Sequence, residues 1–193
     1  MAIKAIIFDC FGVLVTDGKG SLKIDFPEHA QELHDLFMRS DYGYITSDEL
    51  EAHVTDLLGI SLEDRRARYE RENVLNESVI NWIRDLRAAN EYKVGLLSNV
   101  RRGGLDDFLP RSLRDELFEQ VILSGEVGIT KPAQEIFEMM ADRLGVQPHE
   151  CIMIDDLMKN IDGSQLAGMQ AVLYTHTQDA QAGVARIIEE QRA

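Results

Sequence analysis

Four places in the chain carry side chains that could act together on a phosphoryl group: Asp9, the Ser98-Asn99 pair, Lys131 and the Asp155-Asp156 pair. An aspartate can attack phosphorus and carry the group as an ester, provided that cations and hydrogen-bond donors offset the negative charge on both partners. Asp9 with Asp155 or Asp156 supplies the one or two carboxylates by which Mg²⁺ is held, the rest of its shell being water, phosphate and backbone oxygen. Ser98 can donate to a phosphate oxygen, and Lys131 can balance the accumulated charge. Taken singly, each has an ordinary explanation: a strand-end Asp or a Ser-Asn pair caps a turn, and Lys-Pro opens a surface helix. The signal lies in their joint placement.

That placement follows from the elements around them. Three short, nearly continuous apolar runs, Ala5 to Phe8, Val94 to Leu97 and Cys151 to Ile154, each end in a polar residue. Runs of this length suit parallel strands buried on both faces. Val121 to Leu123 and Ala171 to Leu173 extend the set to five. Between them, helical spacing runs over Glu77 to Ala89, Pro132 to Leu144 and Asn160 to Ala167, the latter two followed by Gly145 and Gly168. Alternation of strand and helix predicts an α/β fold, a doubly wound parallel sheet. In such sheets ligands bind beyond the carboxyl ends of the strands, near the point where strand order reverses. Asp9, Ser98, Asn99, Lys131 and the acidic pair therefore converge on one rim.

From about Thr16 to Asn76 the rhythm breaks. Ala30 to Met38, Ser47 to Leu58 and Leu62 to Asn73 read as helices with no strand between them. The organisation expected is a core over 1–15 and 77–193 with a helical insertion, a cap, over 16–76.

Composition narrows the function. A net charge of −14 repels polyanions, so nucleic acid is not expected as a partner. No apolar stretch is long enough for a transmembrane helix, and MAIKAIIFD lacks the pattern of a secretory signal, so a cytoplasmic protein away from membranes is expected. Cys10 and Cys151 abut strand-like runs and read as reduced, partly buried thiols. Arg65, Arg66, Arg68 and Arg71 interleave with Glu63, Asp64, Glu70 and Glu72, which reads as ion pairing on a helix surface. No GxxxxGK[ST] loop and no His/Cys cluster of zinc spacing occurs. The expected partner is a small molecule; nothing in the composition speaks to oligomeric state.

The segments FDCFGVLV, LLSNV, TKP and MIDDLMKNIDGSQLAGM, in that order, resemble the four motifs of the haloacid dehalogenase superfamily. The acidic pair comes last and an insertion follows the first strand, an order that differs from that of phospho-acceptor receiver domains. The resemblance implies a Rossmann-like core, a mobile cap and catalysis through an ester at Asp9. It also implies that Ser98, Asn99 and Lys131 bind and stabilise the transferring group. Mg²⁺ would be held by Asp9, Asp155, Asp156 and the backbone carbonyl of Phe11, and Asn160 would support the loop or the lysine.

Phe11 is the departure. Phosphatases of the superfamily have an aspartate there, acting as general acid and then base, which a phenyl ring cannot do. Three readings follow. One is a Mg²⁺-dependent phosphohydrolase on a small phosphorylated compound, working without that acid. Another is a metal-free dehalogenase-like hydrolase, with Arg39 placed like a halide-binding arginine. The third is a weak or inactive member that binds a ligand or a protein. The acidic pair favours metal, because three neighbouring carboxylates need a cation among them. Arg101 and Arg102 lie close enough to Ser98 in sequence to reach the site, or to form a solvated loop.

Overall fold

A computed structural model of the chain describes residues 2–15, 18–106 and 108–192. The first strand, β1 (Ala5–Phe8), is followed by four helices, α1 (Gly18–Asp25), α2 (Ala30–Asp41), α3 (Ser47–Leu58) and α4 (Leu62–Glu72). The chain continues through α5 (Glu77–Ala89), β2 (Lys93–Ser98), α6 (Arg111–Leu117), β3 (Gln120–Leu123) and the short α7 (Ser124–Val127). It ends with α8 (Gln134–Leu144), β4 (Cys151–Asp155), α9 (Met158–Leu166), β5 (Gln170–Leu173) and α10 (Thr177–Arg192).

The five strands form one parallel sheet of order β3-β2-β1-β4-β5. The chain winds outward from β1 to β3, returns to the other side of β1 for β4, and continues to β5. The reversal of winding therefore falls between β1 and β4, where the crevice of an open sheet opens. Phe8 pairs with Ile154 in this register, and the amide of Asp9 donates to the carbonyl of Ile154 at 2.9 Å. Asp9 is thereby carried to the side of Asp155.

Both faces of the sheet are covered, as the unbroken apolar runs require. Ile6, Phe8, Val94, Leu96, Ile152 and Ile154 point to one side, against α5, α6 and α10. Phe8 meets Trp82 edge to face with centroids 5.1 Å apart. Ala5, Ile7, Leu97, Ile122 and Met153 point to the other, against Ile136, Phe137 and Met140 of α8. This alternation is the period of a strand. Cys10 and Cys151 are both buried and outside any disulfide, and burial pushes the Cys151 thiol up to about 12, as befits an inert core thiol.

Helices α1 to α3 share a separate apolar cluster of Leu22, Leu33, Phe37, Ile45, Leu50 and Val54. Of the expected insertion 16–76, residues 16 and 17 lie outside the described residues. Helix α3 keeps its expected bounds, and its N-cap is Thr46, whose hydroxyl and amide exchange hydrogen bonds with Glu49 in a capping box. Other boundaries differ from those expected. Helix α8 starts at Gln134 because Lys131 and Pro132 sit in a turn held by Asn99. Helix α2 runs to Asp41, three residues beyond the expected end, and α1, α6, α7 and α10 were not legible from apolar spacing.

The basic cluster of α4 also departs from expectation. Arg65 is buried, with its Nε 3.3 Å from Glu51 of α3, so it braces two helices instead of lying on a surface. Arg68 does pair at the surface, with Asp25 and Glu72.

Candidate active site

Beyond β1 the chain turns tightly: the carbonyl of Cys10 accepts from Leu14 and Val15 at 2.7 and 2.8 Å, and Gly12 adopts a φ of +85°. A β-carbon on Gly12 would lie 2.3 Å from the Asp156 carboxylate, so glycine there satisfies both the left-handed backbone and the close approach of the acid. The turn thus seats Asp156 against the loop that carries Asp9.

Lys131 joins the remaining parts. Its Nζ lies 2.7 Å from Asp9 Oδ1 and 2.6 Å from Asp155 Oδ2, and all three side chains are buried. Asn99 fixes its backbone from both sides, accepting from the Lys131 amide at 2.8 Å and donating to its carbonyl at 2.9 Å. Asn99 lines the cleft with Asp9 and Ser98, and its side-chain amide also places the lysine. Ser98 is fully buried at the end of β2, lines the same cleft as Asp9, and its hydroxyl has no partner among the described residues. A buried unpaired hydroxyl is costly unless something else takes its hydrogen bond.

The acidic pair divides its work. Asp155 accepts from the Leu157 amide at 2.9 Å and from Asn160 at 2.9 and 3.0 Å, besides Lys131, so both its oxygens are engaged. Asn160 thus steadies Asp155, the carboxylate that also takes Lys131 and the Leu157 loop amide. Asp156, not Asp155, lines the cleft with Asp9. One oxygen from each of Asp9, Asp155 and Asp156 falls within a 4.8 Å span, a donor set suited to a hard divalent cation. Lys131 is the ammonium in contact with Asp9 and Asp155, and a divalent cation would add positive charge among the three carboxylates.

The electrostatics reflect this. Burial pushes the Asp9 carboxyl up; Lys131 pulls it back, Asp155 raises it again, and it stands at about 8. Burial works against the Lys131 ammonium, yet the carboxylates of Asp9 and Asp155 outweigh that and raise its pKa.

The cleft measures about 150 Å³, and its other contributors come from the helical segment. His34, Phe37, Met38 and Asp41 present one face of α2 to it, and Lys23 of α1 and Lys159 of α9 complete the lining. This i, i+3, i+4, i+7 set was readable as a helix face, but nothing in the pattern said that it would look toward Asp9. Phe11 lines the cleft and packs edge to face on Phe108, with centroids 5.7 Å apart; Phe108 in turn touches Tyr69 of α4. Arg39 points elsewhere, exposed in a groove with Glu32, Asp35 and His53, which removes the support it lent to a halide site. Arg101 lines a small cavity with Phe11, Arg65 and Tyr69 and not the Asp9 cleft, and Arg102 is exposed.

Comparison with known proteins agrees with this geometry. The family model described as hydrolase, haloacid dehalogenase-like hydrolase, matches residues 3–168. Phosphoserine phosphatase of Thermus thermophilus is 29% identical over 147 residues, which cover 76% of this chain and 47% of the relative, so the chain spans about half of that protein. Pyrophosphatase PpaX of Bacillus cereus is 24% identical over 194 residues, covering 92% of this chain and 85% of the relative. A HAD family enzyme of Bacteroides thetaiotaomicron, solved in complex with magnesium and inorganic phosphate, superposes with a TM-score of 0.74 at 25% identity, covering 90% of this chain and 95% of that one. No helix among the described residues is long and apolar enough to cross a membrane. With its motifs gathered on the rim of a parallel sheet and most of its length matched, the chain belongs to the haloacid dehalogenase-like hydrolase family.

Proposed function

We propose that the protein is a Mg²⁺-dependent phosphohydrolase of small phosphorylated compounds, acting through an aspartyl-phosphate at Asp9. The observation that carries this reading is the junction of Asp9, Lys131 and Asp155 beside the unpartnered hydroxyl of Ser98. Asp9 attacks phosphorus; Lys131 and Ser98 neutralise and hydrogen-bond the phosphoryl oxygens; Asn99 holds Lys131 in place. Asp9, Asp156 and the backbone carbonyl of Phe11 would hold the metal, with Asp155 behind them as a charged partner of Lys131. Mg²⁺, when bound, supplies further positive charge to the phosphoryl oxygens and the nucleophile.

The names of the phosphatase and pyrophosphatase relatives, and the magnesium and phosphate in the Bacteroides enzyme, support this reading. The same reading assigns residues 1–15 and 77–193 to a core and 16–76 to a cap. The separate apolar cluster of α1 to α3 supports it, as does the wall that α1 and α2 lend to the cleft. Closure of such a cap excludes water and strengthens each charge interaction inside.

The test is release of phosphate from an aryl phosphate. Turnover should require Mg²⁺ and disappear in Asp9→Asn. Activity equal to that of the Asp9→Asn variant, with or without Mg²⁺, would remove the reading, and Asp9-dependent halide release from a 2-haloacid in the presence of chelator would replace it.

A further inference from the structure

Phe11 deprives the site of a carboxyl that could protonate a leaving alkoxide and later take a proton from the attacking water. The cleft also carries cations beyond Lys131. Lys23 of α1 and Lys159 of α9 line it together with Asp9, Asp41, Asp156 and Ser98, and His34 adds a further donor. Among the described residues neither Lys23 nor Lys159 has an ion-pair partner, although the chain carries a net charge of −14. In so acidic a protein, two unpaired ammonium groups in one cleft mark a place for a second anionic group besides the phosphoryl group at Asp9.

Building on the phosphohydrolase reading, we propose that the substrate is a phosphoanhydride, a diphosphate whose outgoing phosphate is bound by Lys23 and Lys159. Such a substrate supplies both functions that Phe11 lacks. In the first step the Asp9 oxygen bonds to phosphorus as the bond from that phosphorus to the bridging oxygen breaks. The electron pair stays on the bridging oxygen, which leaves as phosphate without needing a proton, because phosphate ionises near neutrality. In the second step water bonds to the same phosphorus, the bond to Asp9 breaks and the carboxylate is restored. The water proton passes to the phosphate still held by the two lysines, itself a base near neutrality. Overall one anhydride and one water give two phosphates, with no other reactant. An alkyl phosphate offers neither advantage, since its alkoxide must be protonated as it departs.

The experiment compares pyrophosphate, a nucleoside diphosphate, 4-nitrophenyl phosphate and glycerol phosphate with the full chain and Mg²⁺. At least one diphosphate is expected to exceed glycerol phosphate in kcat/KM by about 100-fold or more, the lower range of what an absent general acid forfeits. Lys23→Met with Lys159→Met should raise KM for that diphosphate by about tenfold, as loss of charge-assisted hydrogen bonds does, and by more than for the aryl phosphate. The double arginine variant should restore it. Asp9-dependent cleavage of the aryl phosphate, with neither diphosphate better than glycerol phosphate, overturns the inference and leaves the phosphohydrolase reading standing. Equal KM increases for both substrate types would overturn it as well. Silence toward all four substrates overturns both.

Discussion

Replacing Lys131 by Met keeps most of the side chain's volume and removes its charge from between two buried carboxylates. The ammonium lies 2.7 Å from Asp9 and 2.6 Å from Asp155, with 2% of the lysine exposed, so neither carboxylate has water to fall back on. Breaking a buried ion pair by removing one partner costs about 3–5 kcal/mol. Here proton uptake limits the loss, because Asp9 already stands at about 8 and can hold a proton near neutrality. The expected destabilisation at pH 7 in chelator is therefore near the lower bound, about 3 kcal/mol, or roughly 6–12 °C in Tm for a chain of this size. Urea unfolding followed by circular dichroism measures it. Mg²⁺ should stabilise the variant more than the parent, since the ion then meets two carboxylates with no competing ammonium. Adding Asp155→Asn to Lys131→Met should recover part of the loss, a coupling that distant sites do not show. A loss below about 1 kcal/mol, with no coupling to Asp155, would refute the view that Lys131 neutralises this pair.

Three further outcomes are expected. Gly12→Ala forces a left-handed backbone costing about 1–2 kcal/mol and pushes Asp156 aside; Mg²⁺ affinity by calorimetry should fall about 10- to 100-fold, and unchanged affinity would exclude Asp156 as a ligand. Phe11→Asp should raise turnover of alkyl phosphates by up to about 100-fold and that of aryl phosphates much less; equal gains would argue against a missing acid at this position. The Asp9 carboxyl, raised from 3.8 to about 8 in the fold, contributes stability that is complete below about pH 4 and is lost as pH rises through about 8. Metal-free protein should therefore lose stability across that window while its Mg²⁺ affinity rises, and Asp9→Asn should flatten both slopes; a metal-free stability slope unaltered in Asp9→Asn would contradict it.

Much of the fold was legible because its signals are local. A strand buried on both faces must be apolar at nearly every position, so the runs of the central strands β1, β2 and β4 stand out in the sequence, and each ends where Asp9, Ser98 or Asp155 meets the rim. That is why Asp9, Ser98, Lys131 and the acidic pair could be named without coordinates. Helix α10 escaped because Ala180, Val184 and Ile187 are spread thinly through a polar segment, and α1 because its sequence opens with Gly18 and Gly20.

What the tertiary structure alone decided concerns direction and pairing over long sequence separations. Residue types identify Asp155 and Asp156 as an acidic pair, but the register of β4 on β1 and the bare Cα of Gly12 determine that Asp155 meets Lys131 while Asp156 faces the cleft. The Ser98-Asn99 pair likewise divides into an unpartnered hydroxyl and a clamp on a backbone 32 residues away. Arg65 and Arg39, alike on paper, part company: one is buried against Glu51, and the other faces solvent. Spacing along a helix tells which residues share a face, and only the packing of that helix on the rest of the chain tells what the face looks at.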